Sequence, residues 1–464
     1  MEKLTRKYGL ATAICMVVGT VIGSGVFFKA QNVLIATGGN MPLGIAAWVI
    51  TGLLMIICSA QFAVMATRYE KVSGVVDYAE ATCGEKYAYF LAWFMANIYY
   101  PGMTSVLAWV SARYFGVLFG WSMVGAEVLA LAGFFLIASY TINALSPKLA
   151  GKFQVSATVI KLIPIFLMAV VGTIVGLTNG TLTSNFTTVV TEAVGGTSGG
   201  LFAAIVATVF AYEGWIVATS INAELKDPKK NLPLALVIGS FVVVIAYVLY
   251  YIGVAGGASN AVLIEEGATT AFTNIFGVVG GTFLNICIVI SCLGTLNGLM
   301  VGATRGMYAI AARGKGPSPS LFGQIDKATN MTTNSSIWGL FVCSAWLIYF
   351  YGANLTDGGW FGLFNFDSSE LPIVTIYAMY IPILIAWMKK EKDLGTVKRF
   401  VLPIAAIISC VFMVFAAIYA HGITPYLAAK ANGGFSFPVL FYIILFAVIM
   451  IIGAVFRRGP KGEE

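Results

Sequence analysis

Long apolar stretches alternate with short polar ones along almost the whole chain. They predict helices at about 9–37, 42–67, 87–118, 123–145, 153–178, 199–225, 231–256, 273–311, 334–353, 371–389, 399–420 and 436–456. Stretches of this length and apolarity suit helices that cross a bilayer. The short alternating segments of a membrane β-barrel, the other way to satisfy a backbone in lipid, are absent. The predicted fold class is therefore an all-α integral membrane protein with 12 transmembrane helices. Only three of the expected outer loops are long, near 179–198, 257–272 and 354–370, and their Gly, Thr, Ser and acidic residues read as solvated caps. No linker divides the chain, so residues 1–464 read as a single membrane domain.

Two spans are interrupted. Residues 21–28 read VIGSGVFF, with Gly23, Ser24 and Gly25 set in apolar surroundings, and residues 208–216 read TVFAYEGWI, broken at Glu213 and Gly214. Glycine inside a helix costs about 1 kcal/mol relative to alanine. Alone, GSG also suits close helix packing through small residues. The breaks fall in spans 1 and 6, however, so they occupy corresponding places in two five-helix halves of opposite orientation, 9–178 and 199–389, with 399–456 as two added helices. Paired interruptions in inverted halves point to the binding site of a secondary transporter.

Charge fixes the expected orientation. Only 10% of residues are charged, against about a quarter in soluble domains. With both termini in the cytoplasm, 23 of the 27 Lys and Arg residues fall in cytoplasmic segments, leaving Lys29, Arg113, Lys161 and Lys430. That is the bias of positive-inside sorting, and it accounts for the net charge of +7 without a nucleic-acid partner. The seven cysteines lack metal-ligand spacing and the chain has one histidine, His421, which reads as a solvated loop residue. No HExxH motif or intramembrane carboxylate cluster suggests an enzyme, no rings of pore-lining charge suggest a channel, and neither a metal nor a cofactor is expected. A cleavable signal peptide is not expected either, because the first apolar stretch is too long for one.

The breaks suggest their own chemistry. The outer half of span 1 starts with free N–H groups at Ser24 and Gly25, on the positive end of a helix dipole, where a carboxylate binds. The inner half ends in carbonyls around Val21 and Ile22, and the outer half of span 6 ends near Phe210 and Ala211. These negative ends accept from an ammonium. An amino acid carries both groups. Glu213 has several readings: a partner for a cationic side chain, a proton carrier, or an acceptor for freed backbone N–H groups. Lys161 lies about 12 Å inside span 5 at 1.5 Å per residue, too deep for simple snorkelling to the interface. Tyr212 and Trp215 are candidate pocket walls, and Asn297 reads as a buried helix–helix hydrogen bond.

IGSGVF in span 1, FAYEGW in span 6, the following ELKDPKKNLP, Lys161 and SCLGTLNG in span 8 together resemble the amino acid–polyamine–organocation superfamily. Within it the chain is most similar to the L-amino-acid transporter family and its bacterial alanine–serine–cysteine exchangers. The resemblance covers nearly the whole chain. It implies a LeuT-like 5+5 inverted repeat with broken helices 1 and 6, and sodium-independent exchange of small neutral L-amino acids such as alanine, serine and cysteine by alternating access. Cationic amino-acid or polyamine antiport, or proton-coupled amino-acid symport, is the alternative. The motif match implies carboxylate binding at Ser24 and Gly25, with Gly23 between the half-helices, and ammonium binding at the Val21 and Phe210 carbonyls. Phe210 would also be a gate. It further implies that the Lys161 ammonium replaces a coupled sodium, bonding span 1 carbonyls and Thr295 with Tyr247 nearby. Eukaryotic members carry a disulfide-linked heavy chain through a cysteine between spans 3 and 4. The sequence FGVLFGWSMV there has none, so the expected partners are the amino-acid substrate and membrane lipid alone. The implied location is the plasma (inner) membrane of a prokaryote, multi-pass, with both termini cytoplasmic.

Overall fold

The structure is a computed structural model that describes residues 9–69, 74–122, 124–145, 147–218, 225–326, 331–356 and 358–457. Part of the basic count above, Lys3, Arg6, Lys7, Lys71, Lys327, Arg458 and Lys461, lies outside the described residues. Within them the chain is helical and no strand occurs. Among the described residues, nine helices are long and apolar enough to cross a membrane, and Leu10–Val21 with Gly25–Ala36, bent by 51°, makes ten if taken as one span. Two further predicted spans are helical but differ in character. Residues 85–117 form one helical run with a π-helical turn at Met95–Tyr99. Its polar Asn97, Thr104, Ser105 and Ser111 are all buried, so neighbouring helices satisfy it rather than lipid. The other, Gly196–Tyr212, is a shorter apolar helix.

The chain divides into two compact units. One comprises Met1–Glu85, Leu162–Leu284 and Ile373–Ala420. Its centre is the helix Met41–Arg68 packed on Pro228–Ala255, with Leu10–Val21 on the latter and Gly196–Tyr212 on Gly25–Ala36. Trp48, Tyr212 and Tyr247 form an aromatic cluster here, with ring centroids 5.1–5.7 Å apart. A second cluster joins Phe62, Trp215 and Tyr380. Buried aromatic pairs of this kind add about 0.5–1.5 kcal/mol each beyond their area.

The other unit comprises Lys86–Lys161, Asn285–Pro372 and His421–Glu464. Polar side chains tie its helices together in the absence of a strong hydrophobic drive between helices in lipid. Asn143 donates to Asn297 at 2.8 Å, Trp346 donates to the Asn97 carbonyl at 2.9 Å, and Tyr89 donates to the Gly453 carbonyl at 2.8 Å.

Two of the three long loops are ordered by short helices. Short helices at Thr181–Thr187 and Asn260–Glu266 are joined by the buried pair Asn185 and Asn260. The Asn260 backbone N–H donates to Asn185 Oδ1 at 2.9 Å, and the Asn260 amide donates to the Gly39 carbonyl at 2.7 Å. His421 is also not a solvated loop residue. It lies in the π-helical turn Tyr419–Ile423, 2.9 Å from the buried carboxylate of Glu370. Proximity to an acid 51 residues away is what the local sequence could not show.

Candidate functional site

Both interruptions have the same local form. The helix Leu10–Val21 ends at Ile22, which is extended (φ −66°, ψ 106°), and a glycine follows. The helix Gly196–Tyr212 ends at Glu213, again extended (φ −70°, ψ 156°), followed by Gly214 at φ +108°. One extended residue turns the last carbonyls out of the helical ladder. The glycine then redirects the chain, and at Gly214 only a residue without Cβ adopts the backbone readily.

The two breaks pack against each other. A Cβ added at Gly25 would stand 2.4 Å from Ala211 Cα, and one at Gly214 would stand 2.9 Å from the Thr20 carbonyl oxygen. Close packing and a broken helix, alternatives in the sequence, are therefore both present. The breaks bring Val21, Ile22, Gly23, Ser24 and Gly25 together with Phe210 and Ala211, all buried. Among the described residues, no acceptor is found for the Ser24 or Gly25 N–H. The Ser24 hydroxyl, wholly buried, has no hydrogen-bond partner either. Leaving a buried polar atom unsatisfied costs about 1–3 kcal/mol, so this cluster of donors suits an anionic ligand group.

Tyr247, on the helix Pro228–Ala255, closes the opposite side. Its hydroxyl lies 3.1 Å from the Val21 carbonyl and 3.0 Å from the Ala211 carbonyl, one from each break. Two of the carbonyls named from the sequence, those of Val21 and Ala211, thus share a tyrosine hydroxyl. A phenol has one hydrogen to donate, so the carbonyls keep acceptor capacity. The resemblance places Tyr247 near Lys161; within its own unit its hydroxyl bonds the break carbonyls while its ring packs on Trp48 and Tyr212.

Phe210 sits at the break with its ring edge-on to Phe28 at 6.0 Å. Glu213 is half-buried at the turn itself. Tyr212 is held by donation to the Trp48 carbonyl at 2.9 Å, and Trp215 by Tyr377 Oη at 3.3 Å. Both are scaffold for the break rather than free pocket walls.

Lys161 is buried, 4% exposed, at an opening between the helices Pro147–Ile160 and Leu162–Leu167. Pro164 explains the opening, because a helical proline clashes with the carbonyl four residues earlier, here Ile160. Thr295 turns its hydroxyl back to the Ser291 carbonyl at 3.0 Å. Sequence reasoning overlooked Lys29, which is wholly buried with its ammonium 5.3 Å from the Phe210 ring centre. The available signal was a lysine in an apolar run, four residues beyond Gly25.

The amino acid permease family model matches residues 8–449. The chain belongs to the amino acid permease family. Its relatives are membrane transporters, and L-amino-acid transporters are among them. The permease is 32% identical over 313 residues to the serine/threonine exchanger SteT of Bacillus subtilis, covering 67% of this chain and 69% of SteT. It is 27% identical over 314 residues to the mouse b(0,+)-type amino acid transporter 1 and 25% identical over 326 residues to the human cystine/glutamate transporter. These alignments cover 67% and 68% of this chain but only 64% and 63% of the relatives. A crystal structure of MhsT in complex with L-phenylalanine superimposes with a TM-score of 0.56 at 14% identity, over 89% of the permease and 100% of MhsT. At that identity the likeness is one of fold. The permease is a multi-pass, all-helical membrane protein of the LeuT-like class.

Proposed function

We propose that this permease exchanges small neutral L-amino acids, alanine, serine and cysteine among them, across the membrane without sodium and by alternating access. The observation that carries the reading is the juxtaposition, at two broken helices, of unsatisfied donors at Ser24 and Gly25 with the carbonyls of Val21 and Ala211. The substrate carboxylate takes the donors, aided by the positive end of the Gly25–Ala36 helix. The ammonium takes carbonyls of Val21, Ile22, Phe210 and Ala211, sharing them with Tyr247 or displacing its hydroxyl. Phe210 closes over the bound substrate. The name of the SteT relative, a serine/threonine exchanger, supports a small polar or apolar side chain.

Sodium independence rests on Lys161. Its amine is buried inside a spanning segment, where ionisable residues are costly and serve function. In this reading it does electrostatically what a bound sodium does in sodium-coupled relatives of the fold. The two five-helix halves, 9–178 and 199–389, supply one break each. Both termini face the cytoplasm, and the expected membrane is the inner membrane of a prokaryote. No disulfide-linked heavy chain is required, since residues 118–125 hold no cysteine.

The test is uptake of radiolabelled L-serine by proteoliposomes, either preloaded with unlabelled L-alanine or empty, in choline buffer and in sodium buffer. The account expects rapid uptake only into loaded vesicles and the same rate in both buffers. Uptake that needs sodium, or that is equal in empty vesicles, would contradict it.

A further inference from the structure

A short turn joins the helix Leu371–Lys390 to the span that begins at Val397. It gathers Lys389, Lys390, Lys392, Lys398 and Arg399. Two hydrogen bonds tie the helix ends together: Trp387 Nε1 donates to the Lys398 carbonyl at 3.1 Å, and Arg399 Nε donates to the Met388 carbonyl at 3.0 Å. Both acids of the turn are drawn to Arg68, Glu391 at 2.7 Å and Asp393 at 2.8 Å. Lys390 donates to the Ala81 carbonyl. Lys389, Lys392 and Lys398 are exposed, so they present their charge outward while the turn's carboxylates face Arg68. An apolar stripe starts at the same turn. Val397, Val401, Ile404, Ile408, Val411 and Phe415 are all exposed, at spacings of four and three that keep them on one helix face. On a helix of spanning length such a stripe meets acyl chains, and cations at its start lie at headgroup depth.

We propose that this turn binds the headgroup phosphate of an anionic glycerophospholipid, whose acyl chains lie along the stripe from Val397 to Phe415. Lysine ammonium groups on flexible stems follow a phosphate without a fixed geometry, which suits Lys389, Lys392 and Lys398. Arg399 adds a cation whose position is set, since its guanidinium is bonded to the Met388 carbonyl and lies 4.6 Å over the Phe400 ring. The stripe decides for a lipid over a soluble anion, because a free phosphate meets the cations and covers none of the apolar side chains. The cations decide for an anionic lipid over a neutral one, which covers the stripe and brings no net charge. Positive-inside sorting alone explains basic residues on one side of the membrane. It does not require that both acids turn to Arg68 or that the helix ends be tied. The inference is independent of the amino-acid reading of the breaks.

Thermal melting of the detergent-purified protein tests this, with phosphatidylglycerol or phosphatidylcholine of identical acyl chains added. The wild type should melt higher with phosphatidylglycerol, and added salt should shrink the difference. In the triple variant Lys389→Gln, Lys392→Gln, Lys398→Gln the difference should fall below about half, because three of the five cations are gone. A control with Lys226→Gln, Lys229→Gln and Lys230→Gln, all exposed, should keep it. Equal stabilisation by the two lipids in the wild type would overturn the proposal. So would an undiminished difference in the turn variant, or a loss as large in the control, which would make the effect one of overall charge. Inorganic phosphate at the same concentration should give no shift; a shift equal to that of phosphatidylglycerol would assign the turn to a soluble anion and overturn the lipid. Should the turn variant not fold, photo-crosslinking of the wild type with a phosphatidylglycerol carrying a diazirine in one acyl chain decides. Adducts on residues 397–415 support the proposal, and adducts only elsewhere overturn it.

Discussion

Gly25 and Ala211 touch so closely that a methyl group on Gly25 would stand 2.4 Å from Ala211 Cα and 3.0 Å from Ala211 Cβ. Backbone cannot give way as a side-chain tip can. Gly25→Ala therefore pushes the two breaks apart and misplaces the Val21 and Ala211 carbonyls relative to the Ser24 and Gly25 N–H groups. The expected outcome is a loss of serine exchange of at least tenfold, about 1.4 kcal/mol, in protein that still purifies as a folded species. Wild-type exchange in Gly25→Ala would show that the contact has no part in the site.

Tyr247 bridges the breaks through one hydroxyl. Tyr247→Phe removes the donor from two buried carbonyls, and a buried acceptor left unmade costs about 1–3 kcal/mol. Melting of the detergent-purified variant should occur below that of wild type, and saturating L-alanine should narrow the gap, because the substrate ammonium supplies the missing donors. A gap that alanine leaves unchanged would mean that substrate and Tyr247 do not share these carbonyls.

Lys161 carries the claim of sodium independence. Lys161→Ala should reach the membrane in normal amount and lose most exchange in sodium-free buffer. The measurement is uptake normalised to protein in the vesicles. Exchange at the wild-type rate would remove Lys161 from the mechanism.

A charged cluster closes the end of the Met41–Arg68 helix. Arg68 Nε lies 2.7 Å from Glu391 Oε2, Arg68 Nη2 lies 2.8 Å from Asp393 Oδ1, and the Tyr69 hydroxyl also donates to Glu391. Glu391 is buried whereas Arg68 is 41% exposed, so water screens part of the pair. A double-mutant cycle with Arg68→Gln and Glu391→Gln should give a small but measurable favourable coupling, weakened by added salt. Coupling indistinguishable from zero would show that the bridge has no role in stability.

Asp393 gives the same cluster a pH signature. Its carboxyl is held below the usual range, first by its own backbone N–H and then by Arg68. A carboxylate with a lowered folded-state pKa stabilises above its unfolded value and loses that contribution as pH falls through the folded one. The melting difference between wild type and Asp393→Asn should thus be small and constant above about pH 5 and fade only below about pH 4. A difference that grows on acidification would contradict the assignment.

The spans and both breaks were legible because each rests on local chemistry. Apolar length marks a helix in lipid, and the runs GSG and EG mark where one stops. The helical run 85–117 was also legible by length, although burial among neighbours lets it carry polar residues that lipid would forbid. What escaped was everything set by residues distant in sequence. Tyr247 is 226 residues from Val21, and nothing in its own span tells which carbonyl it meets. Lys29 looked like an exception to a charge count until Phe210 was placed over it. His421 looked solvated until Glu370 was placed beside it. Even GSG was read as a choice between packing and binding, when the glycine does one and the neighbouring N–H groups suit the other.

The central claim is that the main chain at the breaks, rather than a side chain, holds the amino acid. Equilibrium binding of radiolabelled L-alanine to Ser24→Ala in sodium-free buffer tests it most directly, because that substitution removes a hydroxyl with no internal partner and leaves every break N–H in place. The account predicts a Kd within about tenfold of wild type, a change of no more than about 1.4 kcal/mol. Loss of all detectable binding would contradict it and assign the carboxylate to the serine hydroxyl.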